Sequence, residues 1–408
     1  MAHSRPLALL LLLASGCDKH DFICGKIADK MGQHDGFELP GVAGAPRWGI
    51  PTEAPEDLKV RRSWSTLTDE EKQHVIDGFL ALKRITVDSG DPGSPRANYD
   101  SFCEATGQPQ YEKNLYDYYV EAHANAFVSM MTPAQDMESM SHMGPQFLPW
   151  HRMLLLRIEA DMAEALGDPD FALPYWDWTD CYADGDPTTC TPLFDTQFLG
   201  SGGGCDEDTD EVEGGIVAQG LTTHIYSNSK IIGFDPASIV CGTRPLRRQV
   251  GCSELVDGPP TQEDIDGLFL RPVYDDAPYD SCNTDEDVSF RQYLEGFSLT
   301  STEPDCVSAG CGIHGRGHMF VGGDMFDSTT NPNDPMFFLH HAQVDRMWAA
   351  WQMANQESSV ESAHVDAGNP GYPDMNRVPL FIWDEVNAEE LFDFEGLGYT
   401  YDTLPQPD

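Results

Sequence analysis

The chain has 408 residues, 40% of them hydrophobic, enough to bury a large core within one elaborated domain. Its 68 acidic residues against 24 basic ones give a formal net charge of −44, a field that repels DNA, RNA and anionic lipid surfaces and so excludes a nucleic-acid-binding role. No segment has the unbroken apolar length that a stable transmembrane helix needs.

The N-terminal stretch MAHSRPLALLLLLASGC reads as an export signal: Arg5, then the apolar run Leu7 to Ala14, then small residues ending at Cys17. Residues 1–16 are therefore expected to be a signal peptide, and Leu13-Ala14-Ser15-Gly16-Cys17 resembles a bacterial lipobox whose cysteine is lipidated. Setting Cys17 apart from the 11 cysteines leaves ten, an even set suited to disulfides in an oxidising compartment. The expected location is outside the cytoplasm, either as a lipid-anchored cell-envelope protein or in secreted form. Residues 17–57, rich in Gly and Pro, are expected to wrap the surface as an extended segment, with the catalytic domain over 58–408.

Regular structure is expected to begin at Thr68, where TDEE forms a capping box and Val75, Ile76, Phe79, Leu80 and Leu82 supply a helical apolar face. A second helix is predicted over Leu115 to Met130, carrying His123. A third follows FLPWHR, because Leu154, Ile158, Met162 and Leu166 recur every four residues and Gly167 supplies the stop. The stretch from about Asp180 to Asp285 is rich in loops, with Cys181, Cys190, Cys205, Cys241, Cys252 and Cys282, and reads as decoration held by disulfides. Within it the acidic run Asp206 to Glu213 reads as a loop rather than a calcium site. Helical texture returns over Phe290 to Phe297 and Asp334 to Asn355. Long strand patterns are scarce, so the core is expected to be mainly α.

Six of the 13 histidines fall in two separated clusters: His123, His142 and His151, then His314, His318 and a member of the adjacent pair His340 and His341. His314 and His318 sit one helical turn apart, which places two imidazoles on one side of one ion. His151 and the adjacent pair each open an apolar helix. The helical period leaves His340 and His341 unresolved, since both share a face with Val344 and with Met347 or Trp348. HGRGH lacks the glutamate of the zinc-protease motif His-Glu-x-x-His, and none of these histidines has the glutamate three residues earlier that a di-iron carboxylate bundle requires. Two all-imidazole sets therefore point to copper.

HMGPQFLPWHRMLLLRIE (142–159), LPYWDWT (173–179) and NPNDPMFFLHHAQVDRMWAAWQ (331–352) closely resemble the two copper signatures of the tyrosinase family of type 3 copper proteins. PTQEDIDGLFLRPVYDDAPYDS and FRQYLEGF resemble the bacterial branch, and the likeness runs from Val60 to about Tyr399. The resemblance implies a central four-helix bundle holding a dinuclear copper site, with long disulfide-linked loops. It implies two copper ions, one held by His123, His142 and His151 and the other by His314, His318 and His341, leaving His340 a structural role. Asp345 and Arg346 are expected to hold their helix in place. The implied reaction is oxidation of o-diphenols to o-quinones by dioxygen, with ortho-hydroxylation of monophenols as a further activity. The partners it implies are a phenolic small molecule, dioxygen and a copper-delivery protein. Glu295, in YLEGF, matches the position that holds a water to accept the phenol proton.

Departures from the family pattern narrow these expectations. Gly315 follows His314 where relatives strong on monophenols often carry asparagine. Met140 stands where some relatives have a cysteine joined to histidine by a thioether. The stretch SLTSTEPDCVSAGCG separates Glu295 from His314, and Cys306 and Cys311 are expected to close it as a small loop. Nine residues follow Tyr399, so a covering domain of the family type is not expected. The readings set against an enzyme are a hemocyanin-like oxygen carrier and a copper-binding protein without turnover.

Overall fold

The computed structural model describes residues 55–87, 103, 107–108, 113–129, 141–142, 144–182, 190, 193–227, 239–275, 289–295, 312–355, 379–380 and 383–405. Outside them lie the expected signal segment with Cys17, the extended stretch as far as residue 54, Met140, the predicted helix ends at Met130 and Phe297, and Cys24, Cys282, Cys306 and Cys311.

Helix α1 (Asp69–Arg84) begins where its capping box dictates: Thr68 Oγ1 accepts from the Glu71 amide at 3.2 Å and Glu71 returns a carboxylate to the Thr68 amide at 2.8 Å. Asp69, Glu70 and Glu71 in its first turn and Lys83 and Arg84 in its last oppose the helix dipole. Helix α2 (Leu115–Ser129) is buried along its described length, and α3 (Phe147–Leu166) is buried on almost every side, so neither shows a clean polar face. α3 stops at Gly167, whose φ of 65° an L side chain would adopt only under strain; the Gly167 and Asp168 amides then close back on Glu164 and Ala163. Shorter helices α4 (Gln262–Phe269), α5 (Phe290–Glu295) and α6 (Ile313–Val321) precede the long α7 (Met336–Ala354). Helices α2, α3, α6 and α7 form the central bundle. The three sheets among the described residues each have two strands, in keeping with the helical core expected.

Regular structure starts earlier than Thr68. Strand β1 (Lys59–Arg61) pairs in parallel with β2 (Tyr399–Tyr401), a partner more than 300 residues away that no local pattern announces. The pairing places Arg61 among buried acids: its Nε donates to Glu159 of α3 at 3.0 Å and its Nη1 to Asp345 of α7 at 3.2 Å. Asp345 also accepts from Arg152 at 2.5 Å and from the hydroxyls of Tyr399 and Tyr401 at 2.6 Å each. One carboxylate thus ties both ends of the domain to α3 and α7, and the neighbouring guanidiniums hold it below the usual carboxylate range against the opposing effect of burial. Arg346 binds the Thr403 carbonyl at 2.7 Å and Asp177 at 3.1 Å.

The loop-rich middle is more than decoration. Disulfides join Cys103 to Cys241, Cys181 to Cys190 and Cys205 to Cys252. From this region the fully buried Arg248 forks onto both oxygens of Asp334, at 2.6 and 2.7 Å. Asp334 in turn accepts from the Met336 amide at 3.0 Å, so the loop anchors the start of α7.

Candidate metal centre

Each bundle helix brings imidazoles inward. His123 comes from the middle of α2, His151 from the start of the second turn of α3, His314 and His318 from α6, and His340 and His341 from the second turn of α7. His142 comes from the loop just before α3, fixed by its own Nδ1 lying 3.1 Å from Ser141 Oγ. All seven are buried. The ligand atoms of His123, His142 and His151 gather within 4.8 Å of one another, and a second gathering forms around His314 and His318.

Hydrogen bonds orient the rings. His123 Nδ1 donates to the Thr329 carbonyl at 3.1 Å, His151 Nδ1 to Phe147 at 2.8 Å, His314 Nδ1 to Glu295 at 3.3 Å and His318 Nδ1 to Met325 at 2.9 Å. Each such bond fixes the proton on Nδ1 and leaves a lone pair on Nε2. The consequence is clearest at His314 and His318, whose two bare Nε2 acceptors stand 2.9 Å apart. Two lone pairs at that distance repel one another, and a cation beside them converts the repulsion into coordination. His123 Nε2 lies 3.1 Å from His142 Nε2, and the buried Nε2 of His151 has no protein partner. Burial holds all these imidazoles below their ordinary range, His123 at about 3 and His318 at about 4, so they are neutral donors at neutral pH. The residues fit copper.

The adjacent histidines differ in what they touch. Proximity alone groups His340 with His314 and His318. Both nitrogens of His340 are engaged by protein, however: Nδ1 accepts from Trp178 Nε1 at 3.0 Å and Nε2 donates to the His314 carbonyl at 3.1 Å. His341 instead directs Nε2 to within 3.3 Å of His314 Nε2. Its ring also stacks on that of His151, with centroids 4.2 Å apart and planes 10° apart, so the two gatherings are immediate neighbours. Phe147 packs 4.7 Å from His151 and 4.9 Å from His314, while Phe337 packs 4.2 Å from His341 and 5.0 Å from His123. These fully buried rings keep water from the imidazoles.

Glu295 ends α5, buried, its carboxylate receiving Arg291 at 2.9 Å while its carbonyl orients His314. Arg291 is itself forked onto Asp275 at 2.9 Å on both oxygens. Gly315 is buried on α6 directly after His314. Several site residues escaped sequence reasoning: Trp178, the carbonyls of Met325 and Thr329, and Gly317. The last had a signal in HGRGH, since a Cβ at Gly317 would stand 2.3 Å from the His340 ring.

Comparison with known proteins agrees with this centre. Residues 113–354 match the family profile described as the common central domain of tyrosinase. A tyrosinase of Streptomyces glaucescens is 31% identical over 347 residues, covering 85% of this chain and 100% of the relative. A grixazone synthase of Streptomyces griseus is 29% identical over 351 residues, covering 85% and 99%. Among solved structures, a polyphenol oxidase variant from Thermothelomyces thermophila superposes with a TM-score of 0.60 at 19% identity, covering 94% of this chain and 97% of that one, which supports the fold. With two neighbouring histidine triads inside a helical bundle and this match across most of the domain, the chain belongs to the tyrosinase family, the dicopper phenol oxidoreductases.

Proposed function

We propose that this centre oxidises o-diphenols to o-quinones, with ortho-hydroxylation of monophenols as the weaker activity. His123, His142 and His151 hold one copper; His314, His318 and His341 hold the other. When bound, the copper pair supplies the redox chemistry, passing electrons from phenols to dioxygen. Each o-diphenol gives up two electrons and two protons, so two of them reduce one dioxygen to two waters. The observation that carries the reading is the facing of imidazole Nε2 atoms in two adjacent sets, linked by the His151–His341 stack.

The protein's own residues do the rest. Six neutral imidazoles leave the charge of the ions undiminished, and Phe147 and Phe337 exclude water around them. Glu295, oriented by Arg291, is the residue that would hold a water to take the phenolic proton. Gly315 offers no side chain to orient that water, which favours diphenols, since these already carry both oxygens. His340 holds the backbone of His314 rather than a metal.

Export follows from the N-terminal signal, with Cys17 as the candidate lipid attachment point and a secreted form as the other outcome. Loading copper into so buried a centre is the step at which a copper-delivery partner would act. Oxygen uptake by copper-loaded protein given catechol tests the reading. Sustained uptake with quinone formation is expected; reversible oxygen binding without consumption would indicate a carrier, and neither would indicate a copper-binding protein without turnover.

A further inference from the structure

The segment that leaves α6 toward α7 touches both triads through its main chain. The carbonyl of Met325 accepts from His318 at 2.9 Å, and that of Thr329, four residues on, accepts from His123 at 3.1 Å. Each carbonyl has its own brace. Beside Met325, Asp324 receives the Arg244 guanidinium and the Arg247 amide, the latter at 2.9 Å. Beside Thr329 the brace is Asp327, whose Oδ1 accepts from the Thr329 amide at 3.0 Å, the Thr330 amide at 3.0 Å, the Thr330 hydroxyl at 3.2 Å and the Thr329 hydroxyl.

We infer that Asp327 is a positioning residue for the copper of the first triad, although it lies on the chain leaving the second. Drawing two successive amides and two hydroxyls onto one oxygen fixes the peptide planes around Thr329, and with them the direction of its carbonyl. That carbonyl sets both the tautomer and the ring rotation of His123. His142 and His151 take their Nδ1 partners from Ser141 and Phe147, on other parts of the chain, so loss of Asp327 loosens one ligand of one triad. The Asn331 side chain also lies 3.4 Å from His318 Nδ1, but the shorter bond of that nitrogen, 2.9 Å, is to Met325, braced separately through Asp324. The asymmetry is the distinctive consequence: the two coppers part company.

The inference rests on the ligand assignment above, and the test keeps the two apart. Full-length wild type, Asp327→Ala and Asp327→Asn are loaded with copper and challenged with a graded chelator, following copper per chain and the paramagnetic signal of the oxidised protein. A coupled cupric pair is silent in that measurement, whereas a lone cupric ion is not. Wild type should hold two coppers and give no signal; fewer than two would sink the ligand assignment itself. Asp327→Ala should lose its first copper at lower chelator concentration than wild type, by up to the roughly 10–100-fold that follows outright removal of a partner of a ligating histidine, and show a lone cupric signal at one copper per chain. Asp327→Asn retains an oxygen that accepts both amides and should behave as wild type. If the alanine chain does not fold, Asp327→Ser, whose neutral hydroxyl accepts the two amides more weakly than a carboxylate, should lose its first copper in the same order with a smaller shift in chelator concentration. An alanine variant that holds both coppers as wild type does, one that loses both together, or an asparagine variant as weak as alanine would overturn the inference.

Discussion

Replacing His340 and His341 separately by alanine asks which adjacent imidazole serves the metal. His340 is fully buried, and its removal leaves the Trp178 indole N–H without its partner, while the His314 carbonyl keeps the helical amide one turn on. At about 1–3 kcal/mol for an unsatisfied buried group, the loss from that indole alone is roughly 1–3 kcal/mol, a sizeable share of the ~5–15 kcal/mol that holds a typical domain folded. At about 2 °C per kcal/mol for a domain of this size, the melting temperature should fall by at least roughly 2–6 °C. Copper should nonetheless stay at two per chain, with the near-ultraviolet absorption given by dioxygen at the copper pair weakened but present, because His314 keeps its Nδ1 bond to Glu295. His341→Ala instead removes the Nε2 that faces His314 at 3.3 Å, and should lower copper toward one per chain and abolish the band. Metal analysis, calorimetry and absorption on the two proteins decide the matter. If His340→Ala loses a copper while His341→Ala keeps both, the hydrogen-bond reasoning is wrong and the proximity of His340 to His314 and His318 is the true guide.

Glu295→Ala should lower monophenol turnover far more than diphenol turnover, within the ~10²–10⁴-fold range of general acid–base catalysis, and Gly315→Asn should raise monophenol activity selectively; equal losses on both substrates would make Glu295 merely structural. Because burial depresses the folded-state pKa of His123 to about 3 and His318 to about 4, while an unfolded histidine titrates near 6.5, the unfolded chain binds more protons between those values. The copper-free protein should therefore keep its full stability above about pH 6.5 and lose it progressively as pH falls toward 4; a melting temperature flat across that window would contradict neutral, buried imidazoles. Mass spectrometry of the exported protein should show a lipid-modified Cys17 at the N-terminus, and cleavage elsewhere or an unmodified cysteine would remove the proposed anchor.

Where structure depends on near neighbours in the chain, it was legible in advance. The Thr68–Glu71 capping box, the four-residue apolar repeat of α3 and its arrest at Gly167 involve groups three to five residues apart, and each appears where the pattern placed it. The same holds for His314 and His318, one turn apart on α6. The identity of the bonds around the copper centre was not legible. His340 and His341 lie on the same helical turn, and what separates them is Trp178, 162 residues away, together with a glycine at position 317 that admits the His340 ring. Likewise the cysteine spacings did not reveal that Cys103 pairs with Cys241, nor did any local pattern bring Arg61 to Asp345 across 284 residues. A helix decides for itself where it begins and which residues share its face, because its hydrogen bonds close over four residues; which of those faces meets the metal depends on partners from the rest of the chain, which only tertiary packing brings within reach.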